Sequence, residues 1–178
     1  MHKIILLALA ALLLALPADA YAQDEVPRFE SAACPPWFRT DLLNIECGRL
    51  FVLEDRSDPD SAIITLAVAI YRSGFVEDAP DPTIILGGGP GGGVVAGSGY
   101  MLEAGLVRLM QHSDVIFFDQ RGTGLSEPSL ECPEVDMGEA WQIRHAVSPD
   151  EMAKQSIETA LLCHDRLVRQ GVKLAAYT

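Results

Sequence analysis

The chain has 178 residues, a formal net charge of −12 and a pI near 4.6. Nucleic acids and anionic membrane surfaces both require a basic face on their partner, so this balance excludes them as principal ligands. What remains is the composition of a soluble, acidic chain.

The first residues are a separate matter. Met1-His2-Lys3 supplies a positive end, residues 4–16 are an unbroken apolar run, and Ala18-Asp19-Ala20 and Ala20-Tyr21-Ala22 both offer small-x-small cleavage patterns. This is the pattern of a secretory signal peptide. The run is too short for a comfortable membrane span, and no cysteine follows closely enough for a lipid anchor. Residues 1–22 are therefore read as the signal, with the mature chain starting near Tyr21 or Gln23, secreted or periplasmic and free of the membrane after cleavage. Residues 23–44 then form an N-terminal arm, and residues 45–178 carry the folded part.

Four cysteines, Cys34, Cys47, Cys132 and Cys163, fall in an oxidising compartment on this reading, where an even count favours disulfides. Three pairings are possible. Spacing favours Cys34 with Cys47 and Cys132 with Cys163, each closing a local loop. No CxxC or HxxxH spacing occurs, so no metal site is expected.

In chain order, residues 23–36 are polar and proline-marked, an extended arm pinned by Cys34, with Trp37 and Phe38 expected to bury against the first strand. Residues 45–53 read as that strand. The charged connection 54–61 reads as a solvated hairpin loop, since it lacks the glycine and terminal glutamate of a calcium loop. Residues 62–71 form a second strand whose near-continuous apolar character implies burial on both faces, most simply antiparallel to the first. A proline-containing loop, 74–82, leads to the short apolar strand 83–86.

That strand empties into Gly87-Gly88-Gly89-Pro90-Gly91-Gly92-Gly93. Glycine admits positive φ and lets backbone N–H groups approach a ligand with no Cβ between. The run serves either as a flexible turn or as a cradle for an anionic or anion-developing group. Residues 100–111 follow with apolar side chains at helical spacing, and then the short buried strand 114–119. Strand, glycine loop, helix and strand make a βαβ unit, so the sheet becomes parallel here. Both the glycine loop and residues 120–126 lie at the carboxyl end of that pair, where ligands bind in such sheets.

Gly88-Gly89-Pro90-Gly91 after a buried strand, with Asp119-Gln120-Arg121-Gly122-Thr123-Gly124-Leu125-Ser126 one crossover later, resembles the α/β-hydrolase family of prolyl aminopeptidases and secreted tripeptidyl aminopeptidases. Val52-Leu53-Glu54-Asp55-Arg56-Ser57 is similar to the same family's N-terminal segment. The resemblance runs from about Cys34 to the end of the chain. It implies an α/β fold, the N-terminal half of an α/β-hydrolase sheet with antiparallel first strands and then parallel strands joined by a crossover helix. It also implies a serine hydrolase, an aminopeptidase releasing N-terminal residues or short peptides through an acyl-enzyme, in which the glycine loop supplies one N–H of the oxyanion hole. Pro90 has no N–H to give, so the donor falls to Gly89, with Gly91 next. Gly88, Pro90, Asp119, Gln120, Arg121 and Gly122 are structural support, and Arg121 is expected to hold its turn through a carboxylate or carbonyls. The family often has histidine where Gly87 stands.

The rest of the machinery is missing. No Gly-x-Ser-x-Gly occurs in the chain, and the triad of this fold follows the oxyanion strand in the order serine, acid, histidine. Ser126 lacks the second glycine of a nucleophile elbow and is rejected as nucleophile. His2, His112 and His145 are not placed as bases. Ser148-Pro149-Asp150-Glu151 is a capping box that starts a helix running to about Gln170, where Gly171 stops it. His164 lies on its apolar face with Ala153, Ile157, Ala160, Leu161, Leu167 and Val168 and is read as a partly buried core residue, while Cys163 flanks that stripe, free to reach Cys132. The chain is thus read as the N-terminal part of a hydrolase, inactive alone, whose full-length form takes a peptide or small acyl substrate and needs no cofactor.

Three alternatives stay open. One is a secreted esterase or lipase-like hydrolase, and another is a non-catalytic binding module, since fold does not fix function. The third is a dinucleotide-binding domain, because Gly87-x-Gly89-x-x-Gly92 matches that fingerprint with Asp119 at the end of the next strand. Pro90 and the signal peptide both argue against it.

Overall fold

The computed structural model describes residues 26–74, 81–89, 91–145 and 147–177. The signal-peptide reading of residues 1–22, Pro90, and most of the 74–82 loop lie outside the described residues.

Among the described residues, five strands form one mixed sheet. They are β1 (Arg28–Ala32), β2 (Ile45–Leu53), β3 (Ile63–Tyr71), β4 (Thr83–Ile85) and β5 (Val115–Phe118). Their spatial order is β1-β2-β3-β5-β4, with β4 and β5 parallel and every other neighbouring pair antiparallel. With its helices the chain is of the α/β class. The expected antiparallel pair and the parallel pair are both present.

The arm is not merely extended. Residues 28–32 add a strand to β2 from Arg28 opposite Phe51 to Ala32 opposite Cys47. The missing side chain at Gly48 makes room for the Phe29 ring, which a Cβ there would overlap. Just beyond, the Cys34–Cys47 disulfide fastens the arm to the same strand. Closing so short a loop restricts the unfolded chain and is worth roughly 3 kcal/mol. Trp37 departs from expectation, standing 58% exposed, while Phe38 stacks on Tyr71 with centroids 6.5 Å apart.

Burial on both faces of β3 is real but divided along its length. Ala69 and Tyr71 pack with Val115, Phe117 and Leu102 on one face. Ile64, Leu66 and Val68 are buried on the other, towards the last turn of the final helix and the segment after it. Phe117 meets the Tyr71 ring edge-on at 5.4 Å.

The expected helix over 100–111 is broken. It becomes α1 (Ser98–Glu103) and a 3-10 turn at Leu106–Gln111, separated by Gly105 at φ 131, a conformation that no helix accommodates. Two further helices follow, α2 (Pro133–His145) and α3 (Pro149–Arg169). The first was not expected, because its polar composition carries no apolar stripe. The second begins and ends as its sequence requires, with Ser148 Oγ accepting the Glu151 N–H at 3.4 Å and Gly171 at φ 85 beyond its end.

The apolar stripe of α3 does not make a core. Ile157, Leu161 and Val168 are each more than half exposed, and only Cys163 and Leu167 are buried. α3 packs along α2, and its last turns meet the rest of the fold, where Cys163 closes the disulfide to Cys132 and packs beside Leu167, Val172 and Tyr177. His164 is accordingly not a core residue. It is exposed, and its Nδ1 lies 3.1 Å from Asp165.

Candidate functional site

β4 ends at Ile85 and β5 at Phe118, side by side and parallel, so the two loops that leave them emerge together. The first is the glycine loop. It doubles back on itself so closely that a Cβ on Gly87 would lie 2.7 Å from the Gly92 carbonyl oxygen. Gly89 and Gly91 take φ 69 and 91, values open to glycine and strained for residues with a Cβ. Around Gly88, Gly89 and Gly91 no atom of a described residue, chain neighbours aside, lies within 4 Å of where a side chain would start. None of the amides of Gly88, Gly89, Gly91, Gly92 and Gly93 donates a hydrogen bond among the described residues. The loop is thus an exposed row of unspent N–H donors.

What fixes it is Asp119, the first residue after β5 and 1% exposed. Its Oδ1 accepts the N–H of Val94 at 2.6 Å and of Val95 at 2.9 Å, where the glycine loop ends. Its Oδ2 accepts the N–H of Leu125 at 2.7 Å, in the second loop. One carboxylate therefore ties both loops together, and backbone contact reinforces it. A Cβ on Gly93 would stand 2.5 Å from the Gly124 Cα, so the two loops touch main chain to main chain.

The second loop is a compact turn. Thr123 N donates to the Gln120 carbonyl at 3.1 Å and Ser126 N to the Thr123 carbonyl at 3.0 Å. Gly122, at φ 74, lies under the Leu130 side chain. Arg121 reaches away from the loop, and its Nη1 donates to the Glu54 carbonyl at 2.6 Å. Arg121 thus joins this loop to the connection after β2. Ser126 is 2% exposed, and its Oγ donates to the Asp119 carbonyl at 2.8 Å while accepting the Ala67 N–H at 3.0 Å. Both capacities of the hydroxyl are used, in keeping with its rejection as nucleophile.

The histidines lie elsewhere. His112, His145 and His164 are all exposed. His145 stacks on Trp141 at 4.4 Å and contacts its carbonyl at 2.8 Å. No serine–histidine hydrogen bond exists among the described residues. Nor does any group of three or more His, Cys, Asp or Glu placed to hold a metal ion, in the same described set.

One feature of this end of the sheet has no local sequence signal. Glu54, in the connection read as a solvated loop, is 4% exposed. Its Oε1 accepts the Lys173 N–H at 3.0 Å and the Tyr177 hydroxyl at 3.1 Å. Burial and the adjacent Glu54 carboxylate push the Tyr177 phenol well above its ordinary range. Lys173 Nζ in turn pairs with Asp55 at 2.6 Å and Asp58 at 3.4 Å, and together with Ser57 it holds the Asp55 carboxyl far below the usual carboxylate range. These contacts join residues more than a hundred positions apart, so only the folded chain reveals them.

Comparison with protein-family models and with curated proteins found no significant match. Among the described residues no helix is long and apolar enough to cross a membrane.

Proposed function

We propose that this chain carries the oxyanion half of a secreted or periplasmic serine hydrolase, an aminopeptidase working through an acyl-enzyme, whose nucleophile, acid and base are supplied by other polypeptide sequence. The observation that carries the reading is the exposed glycine loop at the carboxyl end of a parallel strand pair, its amides unspent and its exit fixed by Asp119. Developing negative charge on a tetrahedral intermediate calls for fixed N–H donors of this kind, and losing one costs about 2.7–4 kcal/mol of transition-state stabilisation. Gly89 and Gly91 are the donors we assign.

The sheet lends support. Antiparallel β2 and β3 followed by a parallel β4 and β5, joined through α1, is the order of events that the α/β-hydrolase resemblance implies. The two disulfides suit an oxidising compartment. A carbonyl substrate, peptide or small acyl compound, is the class such a loop serves.

The test is the reading frame beyond codon 178. An in-frame Gly-x-Ser-x-Gly within a few dozen codons, and labelling of the extended protein by a fluorophosphonate, are the expected results. A frame that closes without a serine elbow, or an extended protein that resists the label, overturns the proposal.

A further inference from the structure

A cleft of about 440 Å³ lies on the face of the sheet that carries α1. One wall is the segment 37–43, the other is α1, and the Tyr71 ring lies between them. We propose that this cleft binds a small organic cation, an ammonium group on an apolar body, with the body against the aromatic side chains and the ammonium at the Glu103 carboxylate.

Local structure holds the two walls in place. The Cys34–Cys47 disulfide anchors the first wall to β2. Within it, Phe38 N donates to the Pro35 carbonyl at 3.0 Å, and the amides of Leu42 and Leu43 donate to the Arg39 carbonyl at 3.0 and 3.1 Å. Phe38 stacks on Tyr71, and the Tyr71 hydroxyl lies 2.7 Å from Ser98 Oγ in α1. A ring stack and a hydrogen bond thus link one wall to the other. On α1, Ser98 and Leu102 turn inward and are buried. Gly99 and Glu103 each follow by one position, so they share the flank of that inward face, and both line the cleft. Gly99 brings no side chain, which leaves that flank open beside Glu103.

The ligand's chemistry follows from what the walls present. Trp37, Phe38, Tyr71 and Tyr100 all line the space, and Trp37, Leu42 and Tyr100 are each more than half exposed. A concave, pre-formed space of this size, with apolar and aromatic walls and few charges, is the usual form of a small-molecule site. Two charged residues stand in the lining, Arg39 and Glu103. Arg39 is already paired, its Nε and Nη2 facing the two Asp41 oxygens at 3.3 and 3.5 Å. Glu103 is exposed and forms no ion pair among the described residues. The charge left for a ligand is therefore negative, and the faces of the aromatic rings attract cations as well. An anion would meet a carboxylate and the negative faces of the rings. This site is independent of the hydrolase reading, since it uses neither the glycine loop nor a nucleophile.

The experiment uses the chain carrying Trp141→Phe, which leaves Trp37 as its single tryptophan. Trp37 fluorescence is followed at constant ionic strength during titration with phenethylammonium and, separately, with hydrocinnamate and phenethyl alcohol. A saturable change is expected with phenethylammonium, at least about tenfold tighter than with the carboxylate or the alcohol, as one ion pair with a cation–π contact implies. Glu103→Gln, a change at an exposed position, should weaken phenethylammonium about tenfold and leave phenethyl alcohol unaffected. The proposal falls if phenethylammonium does not saturate, if either of the other two binds as tightly, or if Glu103→Gln binds the amine as the unaltered residue does. A Trp37 signal that changes with protein concentration alone would place a second copy in the cleft and overturn it as well. Should Trp141→Phe fail to fold, the same titrations followed by NMR at the Trp37 indole N–H of the unaltered chain decide.

Discussion

Asp119 accepts the backbone N–H of Val94 at 2.6 Å across 25 residues of chain. The same carboxylate takes the amides of Val95 and Leu125, so a single buried side chain sets the exit of the glycine loop against the neighbouring turn. Asp119→Ala leaves three amides facing a void. With buried unsatisfied donors costing about 1–3 kcal/mol each, and partial relaxation expected, the change should cost at least about 3 kcal/mol in urea denaturation. Amide exchange at Val94, Val95 and Leu125 should accelerate before exchange in β2 and β3 does. Unchanged protection at those three amides would show that the loops are held by something else.

The glycines of the loop are not equivalent. Gly93→Ala drives a Cβ to 2.5 Å from the Gly124 Cα and 3.0 Å from Asp119 Oδ1, main chain and a fixed carboxylate that cannot step aside. Gly88→Ala meets no described residue within 4 Å beyond its chain neighbours. The first change should destabilise by roughly 2 kcal/mol or more, as overpacking of a fixed contact does, and the second should leave the midpoint within about 0.5 kcal/mol, as for an unconstrained surface site. Equal effects in thermal denaturation would contradict the close main-chain contact between the loops.

Much of this architecture was legible in the residues. The alternating and continuous apolar runs of 45–53 and 62–71 gave both long strands, the local bracketing of the cysteines suggested, without deciding among three pairings, the two disulfides that form, and Ser148 with Gly171 gave the limits of α3. What the sequence hid has physical reasons. α2 buries little and carries no apolar stripe, β1 exists through backbone pairing that five mixed residues do not announce, and Gly105 breaks a helix whose apolar spacing continues straight through it. His164 and the α3 stripe were misread because periodicity reports an apolar face without saying whether anything covers it. At the site, Asp119 was recognised as support, but its reach to Val94 and Leu125 needed coordinates, as did the burial of Glu54.

Ser126 offers a test of what its loop does. Its hydroxyl links the Asp119 carbonyl to the Ala67 amide, joining the turn to β3. Ser126→Ala should lower stability by about 1–2 kcal/mol for the two lost bonds and the amide left unpaired. The unaltered chain should resist fluorophosphonate labelling. Covalent label recovered on Ser126 would refute the structural assignment.

The segment after α3 should respond to pH at both extremes. Lys173 is held above its ordinary 10.5, chiefly by its hydrogen bond to Asp55, and Tyr177 above its ordinary 10.0, chiefly by burial. Both groups keep their protons more tightly in the folded chain, so their contribution is fully present below those ordinary values and is lost as pH rises through the raised ones. Asp55 works in the opposite sense. Its carboxyl is depressed from 3.8, so its contribution is present above that value and lost as pH falls below it. Residues 172–177 should therefore stay docked across the neutral range and detach in strong alkali ahead of the sheet. Ultraviolet tyrosinate absorbance, compared between the unaltered chain and Tyr177→Phe, measures the alkaline limb. If Tyr177 ionises at its ordinary value, the docking on Glu54 is absent in solution.

The margins of the sheet are unequal, and that sets how the chain should behave in concentrated solution. β1 closes one side with Arg28 and Glu30 on a charged strand. β4 closes the other with Ile84 54% exposed and Leu86, just beyond it, 56% exposed. An apolar strand edge with unpaired backbone groups is a template for association with another chain, whereas charge on the edge blocks it. Poor solubility is expected, and Ile84→Lys should raise the concentration at which light scattering appears without changing the far-ultraviolet spectrum. α3 presents the competing surface, with Ile157 63% and Leu161 56% exposed. Ile157→Lys alters that surface and leaves the strand edge untouched. If Ile157→Lys restores solubility and Ile84→Lys does not, association runs through the helix, and the β4 edge is not the route.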